Sequence, residues 1–152
     1  MAEFTYNPIQ SVSPNQQVLL NTTIGCPKGY VIHREGSGIA TLRGIVNCPC
    51  NNFARYQVTF NGNIALPTGA TVGEISVAIA IDGEPIQTSR ARYTPAAVEQ
   101  YGNVTSTAII TVPKGCCMNV SVENTSESAT PDTTPAPAIN VQNANMVITR
   151  IA

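Results

Sequence analysis

A chain of 152 residues fits one domain with room for a sizeable core, yet only 11% of it is charged, against about 25% in ordinary soluble domains. Its net charge of −1 supplies no basic stripe for a nucleic-acid partner, and no apolar run approaches the ~20 residues of a membrane helix. So little charge covers a free monomer poorly, which favours strands covered by neighbours, or an oligomer.

The opening "MAEFTYNPIQ" lacks the basic start and apolar stretch of a cleavable secretion signal. The expectation is a protein that stays in the cytosol or leaves by lysis or packaging into a particle. Residues 1–15 read as an N-terminal tether and 16–152 as a single domain. "QQVLLNTTI" (16–24) is a first strand, and "YVIHREGSGIATLRGIV" (30–46) is a hairpin turning within Arg34–Gly38. "ARYQVTFNGNI" (54–64) alternates, with Tyr56, Val58 and Phe60 on one face and Arg55, Gln57 and Thr59 on the other. Pro67-Thr68-Gly69 turns the chain into a strand at 74–81, and Asp82-Gly83 turns it again into a weak strand, "PIQTSRAR".

Thr94 as cap, Pro95 at the first helical position and "AAVEQY" before Gly102 predict one short helix. "STAIITV" (106–112) and "MNVSVEN" (118–124) predict a second hairpin about Pro113-Lys114-Gly115. "TSESATPDTTPAPA" (125–138) reads as a flexible polar loop, and "INVQNANMVITRIA" (139–152) closes the chain as a strand. Eight or nine strands with almost no helix make an all-β sandwich or jelly roll the economical fold.

Sorting strands by face adds a further expectation. Strands 54–64 and 118–124 are one-sided, the latter turning Asn119, Ser121 and Glu123 outward. Strands 74–81 and 106–112 and the end of 139–152 are apolar or small on both faces. A second dry face needs a cover, and a partner subunit is the simplest one. The expected interface residues are Ser76, Ala78 and Ala80, with Thr107, Ile109, Val147 and Thr149.

With "RYQVTFNGNI", "GEISVAIAIDGEPI", "TSTAIITVPKGCCMNVSVEN" and "ANMVITRI" in place, the order of strands resembles the C1q/TNF-like jelly roll. The likeness is to its bacterial versions in particular, the heads of collagen-like spore-surface proteins and related domains of Firmicutes and their phages. The resemblance implies about ten antiparallel strands and a tight homotrimer. It also implies that the terminal strand and the central strands of the inner sheet line the threefold axis.

Chemistry is sparse. His33, the single histidine, has no acid or nucleophile that the sequence brings to it, so a surface or satisfied histidine is expected. There is no phosphate loop, H-E-x-x-H or nucleophile elbow. The five cysteines are Cys26, Cys48, Cys50, Cys116 and Cys117. If the first hairpin turns near Gly36-Ser37, Cys26 falls opposite Cys48 at its base, within reach of a disulfide to Cys48 or Cys50. C-x-C plus C-C is a poor match to zinc spacing. Plain thiols or a late-forming disulfide therefore rank first, then a metal, then redox catalysis.

The expectation is no enzyme and no cofactor. It is a homotrimeric display domain on a virion or on a bacterial or spore surface, such as a phage capsid or tail decoration protein, with itself and a larger assembly as partners. The alternative is a glycan- or host-receptor-binding module using the apical loops, which the absence of Trp weakens.

Overall fold

A computed structural model describes residues 1–25, 29–128 and 135–152. Strand-forming alternation becomes two antiparallel sheets packed face to face, the expected all-β sandwich. The first sheet contains β1 (Ala2–Tyr6), β2 (Gln10–Val12), β3 (Thr22–Ile24), β6 (Phe53–Ala65), β10 (Gly102–Pro113) and β12 (Ile139–Arg150). Its order is β10-β6-β12-β1-β3, with β2 also on β12. The second contains β4 (Val31–His33), β5 (Ala40–Arg43), β7 (Ile75–Ile81), β8 (Glu84–Pro85), β9 (Ala91–Tyr93) and β11 (Cys117–Asn124). It runs β4-β5-β11-β7-β8, with β9 also on β7.

The even-numbered residues of β6, namely Ala54, Tyr56, Val58, Phe60 and Ile64, are fully buried. They meet Ile75, Val77, Ile79, Val120 and Val122 of the other sheet in one core. Phe60 fills the space beside Gly62, where an added Cβ would lie 2.9 Å from the ring. In β12 an extra residue near Asn143, at φ 54°, makes a bulge against β6, which keeps Val141 and Met146 both buried across the break.

Four expectations change. Residues 1–15 are no tether: β1 lies between β12 and β3, with Phe4 fully buried. The predicted helix after Thr94 is absent; residues 94–101 form bends and turns, with Glu99 at φ 57°. A single turn's worth of helix signal has little propagation to offset its nucleation cost. Strands β10 and β11 form no hairpin, because β10 pairs with β6 and β11 with β5 and β7. The turn at 113–116, closed by Cys116 N–H on the Pro113 carbonyl at 3.0 Å, is an arch between the sheets. Finally, Thr125 and Ser126, the start of the expected polar loop, are buried.

Candidate functional site

The outward face of the first sheet is built by the odd-numbered residues of β6 and β10 and by matching positions of β12. In register across the three strands lie Val147, Thr59 and Thr107; then Thr149, Gln57 and Ile109; then Asn145, Asn61 and Thr105. Side chains knit the strands from above. Asn103 Nδ2 donates to Asn61 Oδ1 at 2.8 Å and to Asn63 Oδ1 at 3.2 Å, Thr105 Oγ1 donates to Asn61 Oδ1 at 3.2 Å, and the Thr59 and Thr107 hydroxyls bond at 3.2 Å.

Charge is nearly absent from this face. Arg55 stands at one end, its guanidinium 4.8 Å from the Phe53 ring centroid. Glu3 lies across β1, beside Val147 in register. Apolar groups collect here instead: Ile109 is 63% exposed, and Phe53, Ile151 and Ile24 are exposed on the same face. Twelve residues at about 3.4 Å across three strands about 4.8 Å wide give a projected face of roughly 600 Å2. The accessible area of such a corrugated surface is larger, which brings it near the ~800 Å2 per partner of a stable interface.

Thr107, Ile109, Val147 and Thr149 therefore share one surface. Ser76, Ala78 and Ala80 do not. They lie on β7 in the other sheet and are already only 2%, 1% and 0% exposed within one chain. Ala78 stands opposite Glu123, and Ala80 stands between Ser121 and Pro85. Small side chains between larger neighbours sink out of water without a partner subunit. Ser76 is covered by the chain after β11: its hydroxyl meets that of Thr125 at 2.9 Å, and its N–H donates to Ser126 Oγ at 3.0 Å. Arg90 clamps this segment, donating from Nε to Ser76 Oγ at 3.1 Å, from Nη2 to the Thr125 carbonyl and from Nη1 to Glu127 at 2.8 Å. Strand 118–124 correspondingly keeps only Asn119 of its expected wet face, since Ser121 and Glu123 are both buried.

Burial at Glu123 holds its carboxyl above the ordinary value of 4.5; Glu84 pushes the same way and a hydrogen bond with Ser121 opposes. A carboxyl that ionises later in the folded chain than in the unfolded one makes folding less favourable as pH rises from about the ordinary value to the raised one. Glu123→Gln should therefore raise the thermal midpoint at pH 7 and flatten its decline above pH 4.5. Thermal melts across that range check it, and an unchanged slope in the variant would count against it.

His33 is a satisfied structural histidine. Its ring stacks on Phe4 with centroids 4.4 Å apart. The Ser37 carbonyl, 3.2 Å from Nε2, can only accept, so Nε2 donates to it, and Nδ1 is hydrogen-bonded with the Thr23 hydroxyl at 2.9 Å. Cys48, Cys50, Cys116 and Cys117 are free thiols, the last three exposed. Cys26, and with it the bridge expected to Cys48 or Cys50, lies outside the described residues. Among the described residues no three His, Cys, Asp or Glu side chains gather as a metal site would need, and no helix is long and apolar enough to cross a membrane.

At one end of the sandwich Leu66, Pro67, Ala70, Glu74, Glu127 and Pro137 line part of a groove of about 540 Å3. Sequence alternation marked the one-sided character of β6 correctly. It did not single out Gln57, Thr59 and Asn61 of β6, which share that face with the expected interface residues of β10 and β12, because Thr, Asn and Gln read as solvent-facing.

No family model and no curated protein matches the chain. Solved structures do match over nearly its whole length. The globular domain of the zebrafish complement 1qA protein aligns with a TM-score of 0.57 at 15% identity, covering 96% of this chain and 94% of that one. The Eiger TNF of S. frugiperda aligns with a TM-score of 0.64 at 10% identity, covering 100% and 92%. The chain thus has a C1q/TNF-like jelly-roll fold.

Proposed function

We propose that the chain is a non-enzymatic structural subunit that assembles as a homotrimer through its β10-β6-β12 face and is displayed on a particle or cell surface. The observation that carries this reading is the almost uncharged face of three long strands, with Ile109, Phe53 and Ile151 exposed on it. Interface centres are depleted of charge in the same way. The face contains the terminal strand β12, its neighbour β6 and the edge strand β10; the resemblance to C1q/TNF-like domains sets the terminal strand and the central strands of the inner sheet around a threefold axis. Val147, Thr149, Thr107 and Ile109 would then lie between subunits.

The low overall charge and the absence, among the described residues, of a catalytic constellation around His33 support a display role over an enzyme. Its place would be the outside of a virion, as a capsid or tail decoration, or a bacterial or spore surface. Mass spectrometry of purified virions and of washed spores or cells tests this, with surface protease treatment before disruption. The protein should co-purify with one of these and be accessible to the protease. Recovery in the soluble lysate alone would overturn the display role.

The groove at the loop end favours one second reading, a binding module for a glycan or receptor. A glycan array probed with the purified protein separates the two.

A further inference from the structure

The loop between β5 and β6 holds two cysteines in one turn. Cys48-Pro49-Cys50-Asn51 forms a β-turn closed by Asn51 N–H on the Cys48 carbonyl at 3.1 Å, with Pro49 in the position where its fixed φ suits a turn. Residues two apart in such a turn fall within the roughly 4.4–6.8 Å of Cα separation that a disulfide spans. The turn is held in place by the arch at 113–116. Lys114 N–H donates to the Asn52 carbonyl at 2.9 Å, Gly44 N–H to the Cys116 carbonyl at 2.8 Å and Gly115 N–H to the Gly44 carbonyl at 3.0 Å. That approach needs Gly44, where a Cβ would sit 1.9 Å from the Pro113 carbonyl oxygen. The Lys114 ammonium reaches the Pro49 carbonyl at 3.5 Å, a further tie between the arch and the turn.

We propose that the Cys48-Pro49-Cys50 turn is a thiol–disulfide exchange site, oxidised to a disulfide within the turn by a low-molecular-weight disulfide of the glutathione class. The Cys48 thiolate attacks one sulfur of the small disulfide, forming a mixed disulfide and expelling one thiolate. Cys50 then loses its proton to that thiolate and attacks the Cys48 sulfur, expelling the second. Two protein thiols and one small disulfide become one protein disulfide and two small thiols. Cys50 is exposed, so the resolving step needs no opening of the fold. Hydrogen bonds to the Cys48 sulfur, first from the Cys50 thiol and then from the backbone N–H groups of Cys50 and Asn51, hold its pKa below the ordinary value, favouring Cys48 as the attacking thiolate. A ring this small is strained, so the bond it closes is exchangeable rather than permanent.

The sequence makes the test clean. Trypsin releases residues 44–55 with Cys48 and Cys50, residues 1–28 with Cys26, and residues 115–150 with Cys116 and Cys117. The native full-length protein is equilibrated in reduced and oxidised glutathione, trapped with iodoacetamide and digested. Residues 44–55 should appear unalkylated and lighter by two hydrogens. If that peptide stays alkylated at both thiols, carries glutathione on both, or is joined to 1–28 or 115–150, the assignment is wrong. In Cys50→Ala, Cys48 should accumulate the glutathione mixed disulfide and react more slowly with iodoacetamide near neutral pH. Cys50→Ser, which keeps a hydroxyl donor, should restore the rate. Equal Cys48 rates in wild type and Cys50→Ala would remove the reason for assigning Cys48 as the nucleophile and overturn the proposal.

Discussion

Replacing Ile109 by arginine is expected to turn the assembled protein into folded monomers. Ile109 is 63% exposed in the single chain, so the change costs the subunit little of its own stability, within about 0.5 kcal/mol for an ordinary surface position. In a trimer closed through the β10-β6-β12 face the same position is buried three times. An unpaired charge there costs roughly 3–5 kcal/mol per subunit, which weakens the trimer by about a millionfold or more. Ile32 is the matched control, an isoleucine 51% exposed on β4 of the other sheet. Ile32→Arg should leave assembly intact. Sedimentation velocity with circular dichroism reads both variants. A trimeric Ile109→Arg would show that this face stays wet.

Phe60→Ala should cost much of the stability of the fold itself. Phe60 is fully buried on β6, paired with Ser106 on β10 and Met146 on β12, so its removal leaves a cavity at the middle of the sandwich. Truncating a buried phenylalanine costs about 3–5 kcal/mol, a large share of the ~5–15 kcal/mol that holds a domain together. Urea unfolding should move to a markedly lower midpoint with the slope unchanged, and a loss under about 1 kcal/mol would mean the core collapses around the gap far better than its packing implies. The two variants separate fold from assembly: Ile109→Arg should cost the second alone.

Much of the sandwich was legible because period-2 alternation reports burial directly. Tyr56, Val58 and Phe60 against Arg55, Gln57 and Thr59 fell on the faces the pattern predicted. Pairing was less legible. An arch and a hairpin both need a turn between two strands with inward apolar faces, so Pro113-Lys114-Gly115 could not say that β10 and β11 enter different sheets. The N-terminal strand was hidden because "AEFTY" has one large buried side chain, Phe4, and little else to mark it. The candidate site was half legible. Ile109 and Val147 stood out as apolar residues on a second face. Ser76, Ala78 and Ala80 gave the same signal for a different reason, since Arg90, Thr125 and Glu123, distant in sequence, close that side of β7 within the chain. Ala78→Arg therefore probes the packing of one subunit, and Thr59→Arg, at the centre of the neutral face, probes assembly.

Copies of this chain are expected to associate in threes through one neutral sheet face. Light scattering on the purified full-length protein over a range of micromolar concentrations tests it most directly. A trimer gives a concentration-independent mass of about three times the 16.0 kDa of one chain. A folded species that stays at 16.0 kDa throughout would contradict it.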